Sequence, residues 1–169
     1  MPIQYRTGDA TRPEGGGPKI IAHICNDVGA WGKGFVLALS KRWKTPEEQY
    51  RAWHAGQFAA PFQLGEVQFV QVERDLWIAN MIAQHGLRWS QGRPPIRYGA
   101  LRQALRRVAE FAQQQQASIH MPRIGAGLAG GDWSIISRII EEELCRHGLE
   151  VVVYDLLPKA GRKNTAGRP

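Results

Sequence analysis

The sequence predicts an α/β fold with parallel strands and helices on both faces of the sheet. Short apolar runs alternate with amphipathic ones through the second half of the chain, in the order strand, helix, strand, helix, strand. That alternation is how parallel strands joined by crossover helices are written. Two glycine-rich loops each lie between an apolar run and a helical one. In open α/β sheets such loops gather at the carboxyl ends of the strands, where ligands bind. At 169 residues the chain has room for one core and little more.

Ile3 to Arg6 reads as a first strand, ending in the turn Gly8-Asp9-Ala10-Thr11. Gly15, Gly16 and Gly17 mark the loop that follows. Lys19 to Cys25 is apolar and partly β-branched, as a buried strand requires, and ends in Asn26-Asp27. The first glycine loop runs from Gly29 to Phe35 and leads into a helix at Val36. Pro46 ends that helix and starts a second, to His54. Glu66–Glu73 and Leu76–Met81 alternate around the polar turn at Arg74, which predicts a hairpin. Ala83 to Pro95 reads as a loop dense in polar and aromatic groups, among them Gln84, His85, Arg88, Trp89 and Arg93. Such loops tend to line a site.

Ile96 to Gln116 carries Leu101, Leu105, Val108 and Ala112 on one stripe and Arg102, Arg106 and Glu110 on the other, the mark of an amphipathic helix. Ser118–Met121 is the next strand. Ile135, Ile136, Ile139, Ile140 and Leu144 then give a helix its buried face, with Asp132 as its N-cap and Gly148 beyond its end. Glu150 to Tyr154 is the last strand, closed by Asp155. Residues 1–157 form one domain on this reading, and 158–169 a basic, disordered tail with four cations and no acid.

Net charge is +7, of which the tail supplies more than half. That tail suits contact with nucleic acid, as does a module built on Arg88, Trp89 and Arg93. No apolar run is long enough to cross a bilayer, and the N-terminus lacks an export pattern. Cys25 and Cys145 stand far apart without metal spacing. The expectation is a monomeric cytoplasmic protein with reduced thiols, no cofactor and no metal site.

The second glycine loop is the most informative stretch. Gly125, Gly127, Gly130 and Gly131 fall within seven residues, directly before a helix. A tight turn needs one such glycine. Several let backbone N–H groups close on a ligand, and the helix start adds unpaired donors and partial positive charge. The spacing also fits a dinucleotide fingerprint, but only one strand follows, too little for a two-half dinucleotide fold. Two backbone-lined loops together can grip a pyrophosphate from both sides. Asp9 can then accept from an adenine amine, and Asn26 can bond a ribose.

Four segments, Gly8-Asp9-Ala10-Thr11, His23-Ile24-Cys25-Asn26-Asp27, Trp31-Gly32-Lys33-Gly34-Phe35 and Pro122-Arg123-Ile124-Gly125-Ala126-Gly127-Leu128, resemble the macrodomain family of ADP-ribose binders, over Ile3 to Leu157. The resemblance implies a three-layer α/β/α sandwich with a mixed sheet. It implies adenine near Asp9 and Ala10 with contact at Tyr154 and Asp155. The pyrophosphate would lie on Gly125, Ala126, Gly127, Leu128, Ala129 and Gly130. Gly32, Lys33, Gly34 and Phe35 would close over a distal ribose held by Asn26, near Gln84. His23 and the Trp31 loop look like the ADP-ribose 1″-phosphate phosphatase branch. Gly130-Gly131-Asp132-Trp133 looks like the branch that removes ADP-ribose from nucleic acid or acidic side chains. Where those hydrolases carry a lysine and an aspartate, this chain has Gln84 and Ala129.

The function expected is metal-independent hydrolysis of an ADP-ribosyl compound at the distal ribose, with His23, Asp132 or His85 as general base. A non-catalytic ADP-ribose reader is the alternative.

Overall fold

The computed structural model describes residues 1–157. The predicted basic tail, 158–169, lies outside the described residues. The elements in order are β1 (Gln4–Thr7), β2 (Lys19–Asn26), α1 (Phe35–Arg42), α2 (Thr45–His54), β3 (Val67–Glu73), β4 (Leu76–Gln84), α3 (Tyr98–Gln115), β5 (Ser118–Met121), α4 (Trp133–Glu143) and β6 (Val151–Asp155). The strands form one mixed sheet in the order β1-β6-β5-β2-β4-β3. Every neighbouring pair is parallel except the β3–β4 hairpin at one edge. The carboxyl ends of β1, β2, β4, β5 and β6 therefore share one edge of the sheet.

Side chains alternate between the two faces along each strand. Ile20, Ala22, Ala79, Met81, Ile119 and Val153 pack on one face against α3 and α4. Ile21, Cys25, Ile78, Ile82 and Val70 pack on the other against α1 and α2. This makes the three layers. Helix α3 buries Leu101, Leu105, Val108 and Ala112 of the predicted stripe, with Ala104 beside them. In α4, Ile135 departs from the expected buried face: it is 40% exposed, off the side on which Ile136, Ile139 and Ile140 are buried. Asp132 caps α4 by accepting from the Ser134 amide at 2.9 Å, and Gly148 turns with φ +76 beyond the following 3-10 turn.

Two boundaries differ from the sequence reading by more than one residue. Strand β4 runs three residues past Met81, because Ile82 and Ala83 are fully buried and the strand is paired on both sides. Helix α3 begins at Tyr98 and not Ile96. Ile96 instead bridges antiparallel to Gln84, and Pro94 and Pro95 hold the chain extended before it.

Two buried histidines tie polar threads through the core. His23 Nε2 lies 2.6 Å from Asn80 Oδ1, and the Asn80 amide donates onward to Gln68 Oε1 and the Pro46 carbonyl. His120 lies between Ser118 Oγ, 2.8 Å from Nε2, and the Tyr154 hydroxyl, 2.7 Å from Nδ1. Burial, joined at His120 by the nearby charges of Lys19 and Arg6, lowers both histidines to about 4. The folded pKa thus lies below the unfolded value of about 6.5. Stability is full above that value and falls as the pH drops from 6.5 towards 4, because the unfolded chain takes up protons that the fold refuses. Urea titrations at a series of pH values should show a loss of up to about 3 kcal/mol per histidine over that window. His120→Gln should flatten part of the slope.

Candidate functional site

The carboxyl edge of the sheet collects both glycine loops. The first spans Gly29 to Gly34 and enters α1, whose start has no side-chain cap. Its earliest amides are therefore open to an acceptor. The second follows β5. Gly125 has φ +73, and a Cβ there would lie 2.6 Å from Ile96 Cδ1, so only glycine lets the turn sit on the core. The Gly131 amide donates to the Gly125 carbonyl at 2.7 Å and closes the loop. The two loops meet: a Cβ built on Gly34 would stand 3.3 Å from Leu128 Cδ1. A third segment covers the second loop from outside, with Trp89 and Pro94 within 3.2 Å of where a Gly130 Cβ would be. Gly32, Lys33, Gly127 and Leu128 are exposed or nearly so on the rim, while Ala129 is buried beneath it.

The other expected ligand residues divide into those that face this groove and those that build it. Asp9 accepts from the Thr11 amide and hydroxyl through Oδ1 alone, at 2.8 and 2.7 Å. Its Oδ2 has no protein partner among the described residues. Ala10 is buried beside Tyr154 and Phe35. Asn26, expected to hold a ribose, has its amide engaged by its own loop. Nδ2 donates to the Ala30 carbonyl, and Oδ1 accepts from the Val28 and Ala30 amides and lies 3.0 Å from the Tyr50 hydroxyl. Asn26 shapes the first glycine loop. Gln84 folds its amide onto the Gly86 carbonyl at 3.0 Å.

Tyr154, expected to contact adenine, is 3% exposed, stacks on His120 and accepts from the Glu14 amide. Asp155 is held by both carboxylate oxygens to Arg123, at 2.8 and 3.1 Å. That hydrogen bonding pulls its pKa below the usual carboxylate range. Arg123 in turn lies over the rings of Tyr5 and Trp133 at 5.1 and 5.2 Å. No local sequence signal announces this clamp, because Tyr5 and Trp133 are 128 positions apart.

The three candidate bases land in different settings. His23 is 1% exposed and covered by Trp31 and Phe35. Its geometry is that of a core residue without access to water. Asp132 lies at the start of α4, and hydrogen bonds from Ser134 lower its pKa. His85 is exposed and pairs with Asp27, Nδ1 to Oδ2, at 2.7 Å. Asp27, beside Asn26 at a strand end, was not among the expected site residues. Among the described residues no group of three or more His, Cys, Asp or Glu is arranged to hold a metal. A cavity of about 460 Å³ lies at the opposite end of the sheet, lined by Arg12, Lys19, Arg42 and Asp75 among others. It lacks the convergent backbone donors of the glycine loops.

No family model matches the chain. A macrodomain protein from Streptomyces coelicolor matches at 55% identity and a TM-score of 0.80, over 90% of this chain and 98% of that one. This chain is a macrodomain. A protein of unknown function from Bacteroides thetaiotaomicron superposes at a TM-score of 0.89 and 58% identity, covering 93% of this macrodomain and 99% of its own chain. DarTG from Thermosipho africanus, solved in complex with ADP-ribose, shares the fold at 16% identity and a TM-score of 0.63, over 88% of this chain and 40% of that one. Among curated relatives, mouse chromodomain-helicase-DNA-binding protein 1-like is 31% identical over 162 residues. Those residues cover 90% of the macrodomain but 17% of that protein, so the chain spans about a sixth of the relative's length. No helix among the described residues is long and apolar enough to cross a membrane.

Proposed function

We propose that this macrodomain binds ADP-ribose along the carboxyl edge of its sheet and hydrolyses an ADP-ribosyl compound at the distal ribose by attack of water. The observation that carries this reading is the convergence of the two glycine loops at Gly34 and Leu128. Their backbone amides, with the uncapped start of α1, make a cleft for a diphosphate. A fold relative solved with ADP-ribose supports the choice of ligand. Adenine lies at the Asp9 end, where Oδ2 accepts from its exocyclic amine. The distal ribose lies at the other end, beside the first glycine loop and the close of β4.

Isothermal calorimetry with ADP-ribose, ADP and AMP tests the binding step. ADP-ribose should bind more tightly than AMP, since AMP lacks the diphosphate that the loops enclose. Equal affinities, or no binding at millimolar ligand, would sink the reading. Asp9→Asn should weaken ADP-ribose by about tenfold, the worth of one hydrogen bond to a charged group. It should cost an inosine analogue nothing, because that base has no exocyclic amine.

A non-catalytic reader is the second reading. It is favoured by Gln84, whose amide is turned back onto Gly86, and by the buried methyl of Ala129, at the positions where related hydrolases carry reactive groups. Incubation with ADP-ribose 1″-phosphate and with ADP-ribosylated DNA and protein separates the two. Release of a leaving group from any of them selects the enzyme. Arg88, Trp89 and Arg93 lie on the third loop, and would add nucleic-acid contact if oligonucleotide affinity falls steeply with salt.

A further inference from the structure

We infer that His85, held by Asp27, is the general base that activates the attacking water, and that Asp27 is its positioning residue. The inference rests on the hydrolase reading above. Asp27 is the first residue after β2, and His85 the first after β4. These strands are adjacent and parallel, so the pair straddles one point on the ligand edge. The link between them is built from several bonds. The Asp27 amide donates to the Gln84 carbonyl at 2.9 Å. Asp27 Oδ1 accepts from the Gly86 amide at 2.8 Å, and Oδ2 meets His85 Nδ1 at 2.7 Å. The His85 amide donates to the Pro95 carbonyl at 2.8 Å.

An ordinary surface ion pair joins two mobile, exposed side chains and is worth little. Here the carboxylate side chain is 17% exposed and the imidazole 62%. The acid is fixed in the protein and the base is offered to solvent. A carboxylate on Nδ1 keeps the proton on that nitrogen and leaves the Nε2 lone pair free. No protein group meets Nε2 among the described residues. The first glycine loop begins two residues after Asp27, at Gly29, which places the pair beside the distal-ribose end of the cleft. The other candidates lack this combination: His23 is sealed in the core, and Asp132 is engaged by its own helix.

The step balances without a cofactor. His85 Nε2 takes a proton from water as the water oxygen bonds to C1″. The bond from C1″ to the leaving group breaks, and its electron pair goes to the leaving group. The imidazolium then returns the proton to that group. The products are ADP-ribose with a C1″ hydroxyl and the free leaving group, and nothing is oxidised.

The test uses the whole chain with ADP-ribose 1″-phosphate and an ADP-ribosylated oligonucleotide, alongside calorimetry with ADP-ribose. His85→Ala should lower kcat by about 100-fold or more, the usual worth of a positioned base. Its Kd for ADP-ribose should stay within threefold, and added imidazole should restore part of the rate. Asp27→Asn should lower kcat with the same unchanged Kd and without rescue by imidazole, because the ring is still present but misdirected. Asp27→Glu should recover part of the loss. If His85→Ala keeps kcat within threefold while the native chain turns over, the inference fails and the hydrolase reading survives. If kcat and ADP-ribose affinity fall together in His85→Ala, the residue is structural and the inference fails. If the native chain turns over neither substrate, hydrolysis and this inference both fall, while ADP-ribose binding is decided by calorimetry alone.

Discussion

Gly127→Glu should weaken ADP-ribose binding by at least about 100-fold and leave the melting temperature within about 2 °C of the native value. Gly127 lies on the loop rim, and no atom stands within 4 Å of the point its Cβ would occupy. Its φ is not among the positive ones. A side chain there meets neither strain nor overlap in the free protein. In the proposed complex it would occupy the space assigned to the diphosphate. Two like charges about 4 Å apart repel by roughly 4 kcal/mol near a protein surface, and screening reduces this to about 3 kcal/mol, or roughly two decades in Kd. Gly34→Glu is a poorer probe. Its φ is +84, and the new Cβ would press on Leu128 at 3.3 Å, so a loss of binding would come with a backbone cost of about 1 kcal/mol. Calorimetry and a thermal melt on Gly127→Glu check the claim. Native affinity in that variant would place the diphosphate elsewhere.

Asn80→Ala should lower folding stability by about 3 kcal/mol, read from urea denaturation. Asn80 is fully buried on the second strand of the hairpin. Its side chain joins three segments: His23 on β2, Gln68 on β3 and the Pro46 carbonyl at the start of α2. Truncation removes the 2.6 Å partner of His23 Nε2 and leaves it only the weak Cys25 thiol at 3.8 Å. Its Nδ1 already has no partner among the described residues, so the ring would keep no strong hydrogen bond. An orphaned buried polar group costs about 1–3 kcal/mol, and the small void adds to it. A change below about 1 kcal/mol would mean that water enters and replaces the amide.

The same residues show what could be read from sequence and what could not. The alternation after Ile96 points to the parallel sheet, and glycine density points to both loops at its carboxyl edge, since these signals are local. Asp132 was legible as a cap because a cap bonds two residues away. Asn26, Tyr154 and Asp155 were not, although each stands near the end of a strand at the right edge. Whether a polar side chain there faces a ligand or its own scaffold depends on how the chain folds around it. Asn26 is taken by the Val28 and Ala30 backbone of its own loop and by Tyr50, 24 positions on. For Tyr154 the partner is the Glu14 amide, 140 positions back. Asp155 is claimed by Arg123, whose own place is fixed by Tyr5 and Trp133. Strand β4 outran its expected end because Ile82 and Ala83 continue its buried, paired course towards Gln84.

The parallel pairing of β1 with β6 has a practical use in handling the protein. Gln4 lies beside Val152 and Thr7 beside Asp155, and the Met1 amino group reaches the Cys145 carbonyl at the foot of the sheet. An affinity handle attached ahead of Met1 would tether the molecule to a sensor chip by the end remote from the cleft, leaving the mouth open to analyte in solution. A handle placed directly after Asp155 would instead start at the end of the sheet that carries both glycine loops.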